Sequence, residues 1–287
     1  MAERKNALLI FSKYPTPGKV KTRLTTKHGG FLTEDQAAQF FKLCLFDVCE
    51  ASMQALISLQ QESDELVAAD PEAIHDTYDF FISTTPAENM SAMKELFDEL
   101  GEWPMPIQYM TDAGATFDEH FNDAFAQLFA MGYDHIVSVG GDIPTMPKSH
   151  ITQSYQWLHY FEKIGKAGFV QAPCQECGTS LVGFSKDTPI DHTGVYYNLD
   201  GVPALDAYVA KLIEKDIPSA YFSPVADIDE RTDLAHAISC MKAIREAAKY
   251  QPDLYTPRRV LGWCALMGIK VSTPPNDEHD PRQYIDE

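Results

Sequence analysis

Long apolar runs are missing from this sequence. No stretch of the 287 residues reaches the roughly 18 consecutive apolar residues that a membrane-spanning helix needs, so no membrane span is expected. Basic residues are also scarce: 23 Lys and Arg stand against 42 Asp and Glu, a net charge of −19. So acidic a surface repels nucleic-acid phosphates and anionic lipid, and neither is expected as a partner. The six cysteines (Cys44, Cys49, Cys174, Cys177, Cys240 and Cys264) show no framework spacing. Cys174-x-x-Cys177 has no second pair or spaced histidines to complete four zinc ligands. Met1-Ala-Glu-Arg-Lys leads straight into a short apolar run without a signal-peptide cleavage pattern. Reduced thiols in a cytoplasmic protein are therefore expected. The composition, 45% hydrophobic and 23% charged, excludes a disordered chain, a collagen or a coiled coil.

One further absence is local. Between Arg4 and Thr33 there is no Asp or Glu, yet Arg4, Lys5, Lys13, Lys19, Lys21, Arg23 and Lys27 fall there, 7 of the 23 basic residues. In an acidic protein such a cationic island either holds a compact anion or forms a basic N-terminal arm, and the sequence context below favours the first.

Ala7-Leu-Leu-Ile-Phe11 reads as a buried strand, followed by the Pro- and Gly-rich loop that carries these cations. Thr33-Glu-Asp-Gln36 resembles a capping box opening a helix over 33–60, and Thr116-x-x-Glu119 opens another to about Met131. Further strands are expected at 78–84, 106–110, 135–139, 168–172, 179–184 and 219–224. Further helices are expected at 90–100, 148–163, 203–214 and 232–249. Strand and helix alternating from end to end imply a mainly parallel sheet covered on both faces, in one domain over 1–250. Residues 251–287 read as an extension: a short helix within 255–267 packing back on the body, then an acidic solvated tail from Ser272.

In an open parallel sheet, ligands bind at the carboxyl ends of the strands. The loop after the first strand supplies Lys13, Lys21 and Arg23, with Gly18 for a tight turn. The loop after the fourth supplies Gly140-Gly141-Asp142, a carboxylate in a small-residue turn. A basic loop facing an acidic one suits a nucleotide phosphate with Mg²⁺ or Mn²⁺: the cations neutralise phosphate oxygens and the carboxylate holds the metal. Asp227-Ile-Asp229-Glu-Arg-Thr-Asp233 could add a second carboxylate, Asp229 or Asp227, to that metal. It could equally be an acid cluster at a helix N-terminus, with Thr232 or Asp233 as the cap.

The run Phe11-Ser-Lys13-Tyr-Pro15-Thr-Pro17-Gly18-Lys-Val20-Lys21-Thr22-Arg23-Leu24 resembles the N-terminal signature of a bacterial group assigned to the GT-A superfamily of nucleotide-diphospho-sugar transferases. Some members of that group are described as arsenosugar-type glycosyltransferases. Gly140-Gly-Asp142-Ile-Pro144 is similar to the group's Gly-x-Asp-x-Pro motif, and Asp227-Ile-Asp229-Glu-Arg-Thr-Asp233-Leu234 to its closing Asp-x-Asp-x-x-x-Asp-Leu. Where the group has Asp-Gly-Gly this chain has Glu176-Cys-Gly178, and where it has Gly-Glu-Arg this chain has Asp118-Glu119-His120.

The resemblance, over roughly residues 6–240, implies a Rossmann-like three-layer α/β/α sandwich that binds a nucleotide diphosphate sugar with a divalent metal. It implies a glycosyltransferase acting on a small acceptor, with Lys13, Gly18, Lys21, Arg23 and Gly141 on the nucleotide and Asp142, Asp227 and Asp229 on the metal. Asp142, Lys21 and Arg23 would then carry the chemistry. Two alternatives stay open: a nucleotidyltransferase that joins an NTP to a phosphorylated small molecule, and an inactive nucleotide-binding protein.

Overall fold

In β1 (Glu3–Lys13), side chains alternate between two buried faces: Ala7 and Leu9 point to one, Leu8 and Ile10 to the other. A strand buried on both sides belongs in the middle of a parallel sheet, and the computed structural model, which describes residues 2–272, places it there. The other strands are β2 (His75–Thr85), β3 (Ile107–Met110), β4 (His135–Gly140), β5 (Phe169–Pro173), β6 (Thr179–Ser185) and β7 (Ser219–Tyr221), in the order β3-β2-β1-β4-β6-β5-β7. Of the expected tail, only Ser272 falls within the described residues.

On one face lie α1 (Glu34–Ala69), α2 (Met90–Asp98) and α4 (Lys148–Lys163); on the other lie α3 (Phe117–Ala130) and α5 (Ala204–Glu214). The Tyr155 hydroxyl ties α4 to the sheet by donating to the Ala7 carbonyl at 2.8 Å. The N-terminal half of α1 shares a separate core with α6 (Arg231–Ala247) and α7 (Arg258–Leu266), built around Phe40, Cys44, Leu234, Met241 and Val260. Both anticipated capping boxes form, at Thr33/Gln36 and Thr116/Glu119, each worth about 1 kcal/mol.

The expected alternation of strand and helix fails at one point. Between β5 and β6 lies a turn over 174–178, and the two strands pair antiparallel. Five residues are too few for a parallel crossover, so β6 runs backwards through the sheet and also pairs antiparallel with β4. Strand β7 stops at Tyr221 rather than running to 224, because Pro224 has no amide proton for the ladder. Helix α1 continues past residue 60 through polar residues of high helix propensity. Helix α6 begins at Arg231 and is capped by Glu230, with Asp233 closing the box, in place of the expected Thr232 or Asp233 cap.

Strand β1 starts earlier than its apolar run because charge compensates. Arg4 pairs with Asp76 through two hydrogen bonds (2.5 and 2.9 Å) and with Glu162 at 2.9 Å. Helix α7 is held by Asp47, a fully buried carboxylate inside α1. It accepts from the Val260 amide (2.9 Å), the Arg259 guanidinium (3.0 Å) and the Tyr255 hydroxyl (3.0 Å). Nothing in its sequence neighbourhood distinguishes Asp47 from a solvated helical acid.

Candidate active site

The loop after β1 turns at Gly18, whose φ of +73° lies in the left-handed region that favours glycine. A Cβ there would also meet the Glu34 carboxylate at 3.1 Å. The chain then adopts a second left-handed residue, Lys21 (φ 47°, ψ 39°), for which a side chain carries strain. That conformation sends the Lys21 side chain inward, where it is only 4% exposed. Its Nζ donates to Asp142 Oδ2 at 2.6 Å and to Asp229 Oδ1 at 2.7 Å. Burial alone would lower the ammonium pKa; the two carboxylates outweigh it and hold the pKa above its ordinary value.

Asp142 sits just past the end of β4 in a turn that packs close to the loop after β1. A Cβ on Gly141 would stand 2.9 Å from Leu45 of α1 and 3.2 Å from the Ser12 hydroxyl of β1, so glycine lets this turn pack closely against both elements. Asp229 comes from the loop between β7 and α6. The Asp233 carboxylate accepts from the amides of Asp229 (3.1 Å) and Glu230 (2.7 Å), so capping falls to Glu230 and Asp233 and leaves the Asp229 carboxylate to Lys21. Asp227 is fixed by a reciprocal pair of bonds with Gln175: its amide donates to Gln175 Oε1 at 3.2 Å and its carbonyl accepts from Nε2 at 2.8 Å.

One carboxylate oxygen each from Asp142, Asp227 and Asp229 lies within 4.8 Å of the others. Three hard oxygen donors at that spacing suit Mg²⁺ or Mn²⁺ rather than a thiolate-loving metal. Burial pushes the Asp227 carboxyl up to about 6, with Asp142 and Asp229 adding to the rise and Lys21 opposing it.

These groups stand at the edge of a cavity of about 560 Å³ at the carboxyl ends of β1, β2 and β4. Lys13, Lys21, Gly141, Asp142 and Asp229 line it; Gly18, Arg23 and Asp227 do not. Arg23 is half exposed, 3.5 Å from Asp229 Oδ2 and 3.9 Å from Glu176. The opposite part of the cavity is aromatic. Phe11, Phe117 and Phe121 pack edge-on or tilted at 5.1–5.8 Å, and Tyr196 stands 4.9 Å from Phe117.

The segment 118–120 has three separate tasks. The Asp118 carboxylate accepts from the amides of Val195, Tyr196 and Tyr197 (3.2, 2.8 and 3.2 Å) and so holds the loop that presents Tyr196. Glu119 closes the α3 capping box. His120, marked in the sequence only as part of the departure from Gly-Glu-Arg and given no role there, lines the cavity. Its signal is weak: an acid eight residues earlier, Asp112, across a turn.

At 176–178 the backbone explains a residue difference. Cys177 has a φ of 59° and Glu176 one of 58°, conformations that glycine takes without strain. Cys177 is exposed, and burial together with Asp227 and Asp142 pushes the Cys174 thiol up to about 12. A thiol held protonated is a poor metal ligand. His192, in the loop after β6, is fully buried and stacks on Phe121 at 4.2 Å.

The buried histidines set a pH dependence. Burial lowers the His192 pKa to about 3, and burial with Arg4 and His135 lowers that of His159 to about 2. Between those values and about 6.5 the unfolded chain takes up two protons that the folded chain refuses, so their stabilisation is full above pH 6.5 and falls with pH below it. Asp227, raised to about 6, works in the opposite direction between pH 6 and about 4. These three groups leave a net of about one proton, or about 1.4 kcal/mol per pH unit. The Tm should therefore fall by roughly 3–5 °C per unit from pH 6 to 4.5; a flat profile in calorimetry would contradict the burial of the two imidazoles.

In comparison with known proteins, less than half of the chain matches a family model. Residues 72–198 match one described as "Uncharacterized protein conserved in bacteria (DUF2064)". The match takes in Asp112, His120 and Asp142 but stops short of the basic loop on one side and of Asp227 and Asp229 on the other. A search of curated proteins returns no match. Among solved structures, a proposed nucleotide-diphospho-sugar transferase from Desulfovibrio desulfuricans G20 is similar over 97% of both chains, at 21% identity and a TM-score of 0.63. A cytidylyltransferase from Leptospira borgpetersenii is matched over 95% of this chain and 98% of its own, at 11% identity and a TM-score of 0.47. The first of these shows the Rossmann-like α/β fold expected from the sequence. Among the described residues, no helix is long and apolar enough to cross a membrane.

Proposed function

We propose that this chain is a divalent-metal-dependent glycosyltransferase that moves a sugar from a nucleotide diphosphate sugar to a small acceptor. The observation that carries the reading is the buried Lys21 ammonium bonded to Asp142 and Asp229, with Asp227 beside them, at the edge of a cavity whose other wall is aromatic. Lys13, Lys19 and Lys21 line that cavity and would take the diphosphate oxygens, with Arg23 above the rim. Asp142, Asp227 and Asp229 would hold Mg²⁺ or Mn²⁺. Such an ion supplies Lewis-acid stabilisation of the charge that develops on the leaving diphosphate. Phe117, Phe121 and Tyr196 offer apolar faces to a sugar ring and exclude water from the reacting centre.

A second reading, nucleotidyl transfer, is favoured by the three amines at one end of the cavity, which would equally suit a triphosphate. A thermal-shift panel of nucleoside triphosphates and nucleotide sugars, each with and without Mn²⁺, tests both. A ligand at 100 times its Kd adds about 2.7 kcal/mol, roughly 5–10 °C here. A Mn²⁺-dependent rise with a nucleotide sugar, and release of nucleoside diphosphate on turnover, is the expected result. A rise with triphosphates alone and release of pyrophosphate would select nucleotidyl transfer. No shift with any nucleotide would remove the site from both.

A further inference from the structure

His120 carries a feature that phosphate and metal binding leave unused. Its Nδ1 lies 2.7 Å from Oδ1 of Asp112, whose side chain is fully buried. The other carboxylate oxygen, Oδ2, accepts from the Ser83 hydroxyl at 2.5 Å. Each carboxylate oxygen thus has its own donor. An ionised carboxylate only accepts, so Nδ1 carries the proton between the ring and Asp112, and in the neutral ring the lone pair is then on Nε2. Nε2 has no hydrogen-bond partner among the described residues, while the ring lines the cavity with 24% of its side chain exposed. A histidine oriented by a buried carboxylate, with its free nitrogen on a cavity, has the form of a general base.

The dyad is fixed from three sides. Ser83 is a fully buried residue of β2, paired with Met110 of β3, so the sheet positions the chain just before Asp112. His120 lies in the first turns of α3, after the Thr116 cap. Gly114 seats the helix start: a Cβ there would stand 2.7 Å from the His120 amide nitrogen.

The strand order places the dyad and the three carboxylates on opposite sides of β1. His120, Asp112 and Ser83 belong to the β2–β3 side of β1, whereas Asp142 follows β4 on the other side and Asp227 and Asp229 follow β7. We propose that His120, positioned by Asp112, is the general base that deprotonates the acceptor hydroxyl, and that transfer proceeds by a single displacement with inversion at the anomeric carbon. The acceptor O–H proton passes to His120 Nε2. The freed oxygen forms its bond to the anomeric carbon from the dyad side. The bond from that carbon to the diphosphate oxygen breaks on the Lys21 side, and its electron pair leaves with the diphosphate. The assignment rests on the sugar-transfer reading. A phosphate nucleophile, as in nucleotidyl transfer, is already deprotonated near neutral pH and needs no base.

The test uses the full chain with Mn²⁺ and a panel of UDP-, GDP- and ADP-hexoses, with water as the acceptor. It follows nucleoside diphosphate release and, by NMR, the anomer first formed. His120→Ala should lower kcat by about 10²–10⁴-fold with the donor KM changed by less than about 2-fold, a ground-state contact being absent, and added imidazole should restore part of the rate. Asp112→Asn should move the acid limb of the pH–rate profile, which a merely structural role would not. ¹⁵N shifts of His120 in the unmodified protein should report Nε2 as the unprotonated nitrogen. A kcat within about 3-fold of normal in His120→Ala, a retained anomer, or an Nε2–H tautomer overturns the base while sugar transfer stands. Pyrophosphate release from triphosphates with no hexose consumed, or no turnover of any donor, removes the transfer reading and the base with it.

Discussion

Asp142→Asn is expected to abolish the Mn²⁺-dependent part of any nucleotide-sugar thermal shift and to lower turnover by at least about 10²-fold, since a Lewis-acid metal supplies several kcal/mol at the transition state. The change keeps the shape of the side chain and leaves Lys21 bonded to Asp229 at 2.7 Å, so the fold should tolerate it. The two remaining carboxylates, Asp227 and Asp229, make too poor a set for a hard divalent ion. Calorimetric titration with Mn²⁺, alone and with the nucleotide sugar, reads the effect directly. Full metal response in Asp142→Asn would place the ion elsewhere.

Lys21→Met should have the second large effect, and in two directions at once. The ammonium is the cation that balances three closely spaced carboxylates, and removing it leaves them facing one another. Breaking a fully buried pair costs about 3–5 kcal/mol. Asp142 and Asp229 retain 27% and 39% of their side-chain exposure, so water screens part of that loss. A Tm drop of roughly 3–8 °C follows. Mn²⁺ without nucleotide should then restore more stability to the variant than it adds to the unmodified protein, because the ion no longer competes with Lys21 for Asp142 and Asp229. Equal Mn²⁺ shifts in the two proteins would mean that the ammonium and the metal do not share those oxygens. The same variant should lose affinity for the diphosphate, which the calorimeter separates by titrating the nucleotide after the metal.

The parts of this molecule that were legible in the sequence are those set by neighbours along the chain. Short apolar runs located β1, β2 and β4, and the capping boxes at Thr33 and Thr116 located the starts of α1 and α3. The acid-free window and the Gly140-Gly-Asp turn marked the two loops that Lys21 and Asp142 bring within 2.6 Å. What could not be read depends on residues far apart in sequence. The first residues of β1 look too charged for a strand until Arg4 meets Asp76. Asp47 resembles any helical acid until Val260 and Arg259 arrive from 213 and 212 residues away. The reversal of β6 depends on how short a turn can be, not on the pattern of either strand. Asp112 and His120 are ordinary residue types at an unremarkable spacing, and only the pairing of β2 with β3 and the start of α3 turn them toward each other.

The backward strand has a consequence for how such a site can change. Because β5 and β6 bond directly to each other, the turn over 174–178 closes on itself at the rim, with Thr179 and Ser180 entering the cavity wall straight after it. Loop-closure entropy grows only logarithmically with length, about 0.6 kcal/mol per doubling. This turn could therefore lengthen with little cost to folding, provided that Gln175 keeps its two bonds to Asp227. The conformations at Glu176 and Cys177 are ones that suit glycine better than either residue.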